Sequence, residues 1–298
     1  MKDEKTYNVY FRITDKCNLE CKHCCYDCGP KGDSMLSSNI KKVVDNIPAG
    51  VKDFELTGGE PFVVKPLLYE ALSYIQSKKF PKISVIVQTN GFWIKDEDSN
   101  YKILKELCDL GVNYIDFTSN DEFHKEQGID INKLHMNVNI LPSPLGKALD
   151  RLNDEFPGLE NRYSKIGLHL RGAGKRVQPL GRAKSLPIEM IHPFYPCLAN
   201  INFYGQHKDV TIDPQGNVYL CCWQGPRSIG SVIETPLEQL VEDAENDPIT
   251  KAIIDGGPQK LAKQIGMVSC ISGINDCITC QKIFAELDRR PKAMEAVK

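Results

Sequence analysis

Asn8-Val-Tyr-Phe-Arg-Ile-Thr14, followed almost at once by Cys17-Asn-Leu-Glu-Cys21-Lys-His-Cys24, decides how the rest of the chain is read. The first seven residues read as a strand, and the cysteines begin where it ends. The spacing C-x3-C-x2-C lets three thiolates wrap one iron–sulfur cluster from a single loop. It is not the spacing of the common four-cysteine ferredoxin runs. Three protein ligands leave one iron open, by the logic that leaves a catalytic zinc an open position. An open iron can take a substrate or cofactor, which a fully ligated electron-transfer cluster cannot. The competing reading is a structural zinc knuckle, half of which Cys21-x2-Cys24 or Cys25-x2-Cys28 could supply.

Outward from this loop, short apolar runs alternate with amphipathic segments. Ser37 or Ser38 is placed to cap a helix reaching about Asn46, stopped by Pro48. Phe54–Thr57 is a short strand running into Gly58-Gly59. Pro66–Lys79 carries Leu67, Leu68, Ala71, Leu72 and Ile75 at helical spacing. Ile83–Val87 is a continuous β-branched run, as a buried parallel strand requires, and ends at Thr89-Asn90-Gly91. Asn100–Leu110 reads as the next helix and Tyr114–Thr118 as the next strand. The order βαβαβαβ predicts a parallel sheet with helical crossovers, whose chemistry sits at the carboxyl ends of the strands. After residue 130 the pattern weakens. Pro144–Phe156 reads as a helix, Ile166–Leu170 as a strand and Gly172–Ala183 as a loop or irregular strand. Five or six parallel strands are both compatible with this pattern. Beyond about Ile191 the composition turns to cysteines, turns and short elements, which fits a small metal-stapled module.

The chain has 298 residues and a mass of 33.5 kDa, enough for one large domain or one large and one small. Its 37 basic and 39 acidic residues give a net charge of −2, so bulk attraction to nucleic acid or to an anionic membrane is excluded. No apolar run approaches the ~18 residues of a spanning helix. The charged start, Met1 to Lys5, has no apolar segment, so no signal peptide is visible. The outlier is cysteine, with 12 residues, five of them between 17 and 28 and six between 197 and 280. Without a secretory signal these read as metal ligands or catalysts rather than disulfides. Cys108 stands alone in a helical pattern and reads as a small buried apolar residue.

Two motifs together resemble the radical S-adenosylmethionine (SAM) family. That family places C-x3-C-x2-C after the first barrel strand and a Gly-Gly-Glu-Pro segment after the second, here Gly58-Gly59-Glu60-Pro61 following Phe54–Thr57. Alone, Gly-Gly-Glu-Pro is a turn; the two motifs in order at successive strand ends carry the resemblance. It implies a partial (β/α) barrel of radical SAM type with five or six parallel strands. It implies a 4Fe–4S cluster on Cys17, Cys21 and Cys24, chelated at its open iron by the amine and carboxylate of SAM. Main-chain groups around Gly58, Gly59 and Glu60 would hold the SAM amino group. His23 lies where the family's backbone touches adenine. Asn90, Ser119 and Asp121 lie where it contacts ribose or methionine, although polar residues also close such loops. His124 faces either the substrate or solvent, and Arg182 either a carboxylate or the surface.

Asp213-Pro-Gln-Gly216-Asn-Val-Tyr-Leu-Cys221, a turn between two β runs ending in a cysteine, resembles the SPASM or twitch extension of the same family. Residues 1–190 are then the barrel and residues 191–298 a small cysteine-rich C-terminal auxiliary-cluster domain. Cys197, Cys221, Cys277 and Cys280 would ligate one auxiliary 4Fe–4S cluster; a four-cysteine zinc site is the alternative. Cys222 follows a ligand directly, so its side chain points to the opposite face of an extended segment. It is either a spare buried cysteine or a thiol able to donate hydrogen.

His23–Cys25, Thr89–Trp93, Asp121–His124, Gly216–Cys222 and Cys277–Cys280 resemble stretches of the peptide epimerases that modify ribosomally made peptides. The implied reaction is cleavage of SAM to a 5′-deoxyadenosyl radical and abstraction of a Cα hydrogen. Return of hydrogen from a cysteine thiol, here Cys222, would give a D-residue. The implied partners are a ribosomally synthesised precursor peptide and a flavodoxin or ferredoxin-type electron donor, in an anaerobic cytoplasm. Peptide cross-linking, dehydrogenation, small-molecule or sugar dehydrogenation and a zinc scaffold are the alternatives. Residues 130–190 depart from the epimerase pattern, with a shortened late barrel. The chain begins at its first strand, which leaves no room for a fused leader-recognition domain.

Overall fold

The computed structural model describes residues 6–129, 143–155, 167–170, 176–193, 197, 207–221 and 225–290. Strand β1 (Thr6–Thr14) sets the pattern. Tyr7, Val9, Phe11 and Ile13 are buried against helices, and the alternate residues Asn8, Tyr10 and Arg12 face the other side of the sheet. Helix α1 (Ser37–Asp45), strand β2 (Val51–Gly58), helix α2 (Lys65–Lys78), strand β3 (Ser84–Thr89), helix α3 (Glu97–Asp109) and strand β4 (Tyr114–Phe117) follow in the expected order. Helices α4 (Glu122–Glu126) and α5 (Pro144–Glu155) precede strand β5 (Gly167–Leu170). The helices bury one stripe each: Ile40, Val43 and Val44 in α1, and Leu68, Ala71, Leu72 and Ile75 in α2. At about 1.5–3 kcal/mol per fully buried large aliphatic side chain, this shared core is the main stabilising term. Cys108 packs in it, as expected. Helix α1 differs in its start. Leu36 occupies the cap position without a side-chain cap, while the Ser37 hydroxyl donates to Glu70 Oε1 at 2.6 Å.

After residue 191 the chain returns to the same sheet. Strand β6 (His207–Ile212) lies parallel to β1, from Thr6 beside His207 to Phe11 beside Ile212. Strands β7 (Asn217–Tyr219) and β8 (Gly230–Ser231) extend it antiparallel. The order is β5-β4-β3-β2-β1-β6-β7-β8, so six strands are parallel. The sheet therefore runs past the expected boundary at 190/191, and Val210, Ile212, Val218 and Val232 share the main core. Helix α6 (Leu237–Asn246) covers this end of the sheet through Leu237, Leu240 and Val241. A separate apolar cluster begins at Ile249, in helix α7 (Pro248–Gln264, broken at Gly256–Gly257), and is closed by helix α8 (Asp276–Arg289). Among the described residues, no helix is long and apolar enough to cross a membrane.

Candidate metal and cofactor site

The carboxyl ends of β1, β2, β3 and β4 converge on the first cysteine loop. The loop is closed by its own backbone: Cys17 N–H donates to Gly29 O at 3.0 Å and Gly29 N–H to Asp15 O at 3.1 Å. Within it, Leu19 N–H points at Cys17 Sγ at 3.4 Å. All described cysteines are free thiols. Burial pushes the Cys17 thiol up to about 11 and that of Cys21 up to about 12, with the neighbouring thiols adding to the effect. Cys24 goes the other way, down to about 6, because Cys28 and the backbone hydrogen-bond to its thiolate against the cost of burial. A buried thiol set that resists shedding its protons together is stabilised as thiolates by a bound cation, which is the chemistry of a metal or iron–sulfur ligand set.

Strand β2 delivers Gly58 and Gly59 into contact with this loop. Gly59 N–H donates to Thr14 O at 2.7 Å and Glu60 N–H to Lys16 O at 2.8 Å. Glu60 is fully buried, and its carboxylate is held by Phe62 N–H (3.1 Å), the Thr89 hydroxyl (2.8 Å) and Asn90 N–H (2.6 Å). Burial pushes its pKa up to about 7 despite those donors. The Glu60 side chain itself is occupied structurally: the carboxylate clamps the end of β3 to the Gly-Gly segment. The clamp sets Asn90, whose Nδ2 donates to Asn18 Oδ1 at 2.9 Å and lies 3.9 Å from Cys17 Sγ. Ser119, beyond β4, is 1% exposed, and its Oγ has no hydrogen-bond partner among the described residues. Such an orphaned buried hydroxyl is what a site built around a polar ligand leaves behind.

Asp121 caps α4, accepting from His124 N–H at 2.9 Å, and also holds His124 Nδ1 at 2.9 Å. The helix-capping reading of Asp121 therefore holds, but His124 is 7% exposed rather than turned to solvent. His23 stacks on Phe123, centroids 4.6 Å apart, and its Nε2 lies 3.9 Å from Asp121. Burial lowers its pKa to about 4, so its neutral form dominates at neutral pH.

Arg182 is half-buried, and among the described residues its partners are main-chain carbonyls rather than a carboxylate. Its N–H donates to Cys24 O at 3.0 Å, Nε to Cys21 O at 2.9 Å and Nη2 to Cys28 O at 2.7 Å. A Cβ on the preceding Gly181 would stand 2.5 Å from Cys24 O. Nothing local in the sequence marks this strap, because its partners are main-chain carbonyls some 150–160 residues away. Arg182→Ala leaves two buried carbonyls without their side-chain donor, at about 1–3 kcal/mol each before relaxation. We expect denaturant unfolding to show a loss in that range and iron loading of the first loop to fall. Arg182→Lys, which cannot span both carbonyls, should recover only part of the stability.

The same strap reaches the second cysteine set. Pro179 O accepts from Gln281 Nε2 at 2.7 Å, and Gln178 Oε1 from Asn275 Nδ2 at 3.1 Å. Cys197, Cys221, Cys277 and Cys280 line one cavity, about 780 Å³ including its open mouth. Burial first, then the neighbouring thiols, push Cys197, Cys277 and Cys280 upward, Cys277 to about 12. The four expected ligands are therefore brought together. Cys222 lies outside the described residues.

The parallel sheet thus presents C-x3-C-x2-C at its first carboxyl end and Gly-Gly-Glu-Pro at its second. Residues 11–137 match the radical SAM superfamily. That family implies SAM and a 4Fe–4S cluster. Over 123 residues the chain is 34% identical to the antilisterial bacteriocin subtilosin biosynthesis protein AlbA of Bacillus subtilis, covering 40% of this chain and 27% of that protein. Over 180 residues it is 27% identical to a probable GTP 3′,8-cyclase of Methanococcus maripaludis, covering 53% of this chain and 56% of that one. The structure of Streptococcus suis SuiB bound to S-adenosylmethionine aligns with a TM-score of 0.42 at 16% identity, over 84% of this chain and 68% of that one. The chain thus spans between about a quarter and just over half of the curated relatives named here.

Proposed function

We propose that this protein is a radical SAM enzyme acting on a ribosomally made peptide, and that it inverts a Cα centre. The observation that carries the first part is the convergence of Cys17, Cys21 and Cys24 with Gly58–Gly59 and the unpartnered Ser119 hydroxyl at adjacent strand ends. Cys17, Cys21 and Cys24 would hold the cluster. The main chain at Gly58 and Gly59, with His23, Asn90, Ser119 and Asp121, would surround SAM. When bound, these groups supply a 5′-deoxyadenosyl radical by one-electron cleavage of SAM. The protein's task is to orient substrate and keep water out. In this reading Cys197, Cys221, Cys277 and Cys280 hold an auxiliary cluster, in a module formed mainly by residues 248–290. Anaerobic reconstitution with dithionite tests the whole: release of 5′-deoxyadenosine is expected, and zinc at both sites without sulfide would overturn it.

The peptide reading is supported by the likeness to a bacteriocin biosynthesis protein. A nucleoside triphosphate is the second reading, favoured by the longer match to GTP 3′,8-cyclases. The charge on the face of the sheet opposite the main core weighs against it. Asp53, Glu55, Asp116 and Asp209 lie on that face, by strand alternation and register. The buried Arg12 there is already paired with Asp15 and stacked over Tyr26 at 4.0 Å. A triphosphate needs unpaired cations. Consumption of GTP under turnover would favour the second reading.

Epimerisation has its own test, in D₂O with Cys222→Ala. Wild-type product should carry deuterium at an inverted Cα, and the variant should lose it. Deuterium persisting in the variant product removes Cys222 from the role, and net oxidation without solvent hydrogen favours a dehydrogenating enzyme.

A further inference from the structure

We propose that Cys21, His23 and His124 form a second metal-binding set, which takes a single divalent transition-metal ion of the zinc type and excludes a cluster from the loop while it is filled. The ligand atoms of these three residues all lie within 4.8 Å of one another. On a tetrahedral zinc with Zn–N of about 2.0–2.1 Å and Zn–S of about 2.3 Å, ligand atoms stand roughly 3.3–3.7 Å apart. Closing the set around an ion therefore needs movements of at most about 1.5 Å by this geometry.

The surroundings are those of a metal ligand set. Asp121 Oδ1 and Oδ2 take His124 Nδ1 at 3.0 and 2.9 Å. That contact fixes the Nδ1–H tautomer and leaves Nε2 as the lone-pair atom, the carboxylate–histidine–metal arrangement. His23 presents the opposite case. Its Nε2 is turned toward Asp121 at 3.9 Å, while its Nδ1 is buried with no hydrogen-bond partner among the described residues. A buried imidazole nitrogen with no partner costs free energy, and a metal ion removes that cost. The ring cannot turn freely to find another partner: it is stacked on Phe123 at 24° and set edge-on to His124 at 5.0 Å. Two imidazoles and one thiolate suit zinc, cobalt(II) or iron(II), and leave a fourth position for water or another ligand.

Both metal arrangements need Cys21. An ion on the Cys21–His23–His124 set and a cluster on Cys17, Cys21 and Cys24 cannot coexist, so zinc acquired first would block cluster assembly. The exclusion rests on the cluster reading proposed above; the ion site itself does not, since the ion binds the metal-free chain.

Cobalt(II) is the probe, because its spectrum counts thiolate ligands. The full chain carrying Cys277→Ser and Cys280→Ser, which silences the four-cysteine site, is titrated anaerobically. One equivalent is expected, with tetrahedral ligand-field bands and charge transfer from one thiolate. His124→Ala should abolish that spectrum, and Asp121→Asn should weaken affinity about 10–100-fold, as loss of an outer-shell partner does. If the serine background fails to fold, the wild-type chain should bind two equivalents and His124→Ala one. X-ray absorption of zinc-loaded protein should give two nitrogens and one sulfur at the first site. A spectrum with three thiolates that survives His124→Ala and is lost in Cys17→Ala overturns the proposal. Zinc preloading should also lower the iron and sulfide taken up by wild type but not by His124→Ala. A 5′-deoxyadenosine assay that fails while the cobalt titration succeeds would count against the enzyme alone.

Discussion

Cys21→Ala should reduce 5′-deoxyadenosine release to the level of a protein-free control while leaving the fold intact. The thiol is 6% exposed and sits among Cys17, Cys24 and Arg182 in one electrostatic neighbourhood. Removing it leaves two thiolates for a cluster that needs three protein ligands, and cluster binding fails as a whole rather than in proportion. The loop itself does not hang on that side chain. Its ties to Arg182 run through the carbonyls of Cys21, Cys24 and Cys28, and its closure through the backbone of Asp15, Cys17 and Gly29. An alanine makes all of these. The expected stability change is therefore small, within about 1 kcal/mol, as for a substitution that deletes no packing anchor. Iron and sulfide analysis beside a thermal melt separates the outcomes. Turnover retained at more than a few per cent of wild type would mean that the three-cysteine loop is not where SAM is cleaved.

How much of this could be read from the residues follows from the range of the interactions involved. Strands β1 to β4 and helices α1 to α3 were legible because their signal is local: β-branched runs, helical spacing, and Gly or Pro at the ends. The cysteine loop was legible because its three thiols lie within one turn of chain. The place of strand β6 was not. A β run before the Asp213 turn could be read, but its neighbour β1 lies about 200 residues earlier, and the parallel register from Thr6 beside His207 to Phe11 beside Ile212, with Asn8 joined to Asp209 at 2.9 Å, is a long-range fact. That return is why the sheet overruns the boundary placed at 190/191, where composition changes but the main core does not. The Gly181–Arg182 strap was invisible for a different reason. Carbonyl partners have no residue identity, so an arginine aimed at three of them looks like any surface arginine. The His23–Asp121–His124 cluster falls between these cases. Asp121 and His124 are three apart and suggested a capped helix, whereas His23 meets them only because β4 ends beside the loop after β1.

Gly58→Ala should be strongly destabilising for a single added methyl, and it would act on the cysteine loop rather than on the core. Gly58 has φ of +144°, a region L-residues rarely enter, and an added Cβ would stand 2.1 Å from Thr14 O. That oxygen cannot yield cheaply. It accepts Gly59 N–H at 2.7 Å, and the next carbonyl along, Asp15 O, accepts Gly29 N–H at 3.1 Å, so displacing Thr14 drags the frame of the loop with it. Backbone strain of about 1–3 kcal/mol adds to a clash with main chain, so a loss of about 4 kcal/mol or more is expected. Gly128→Ala separates the two contributions. Its φ is +84°, but nothing lies within 4 Å of the added Cβ, so it reports backbone strain with no clash. Urea unfolding should show the Gly58 variant losing at least twice as much as the Gly128 variant. Iron loading should fall only in the former, because only Gly58 presses on the residues that lead into Cys17. Equal losses from the two alanines would mean that β2 does not hold the cysteine loop in shape.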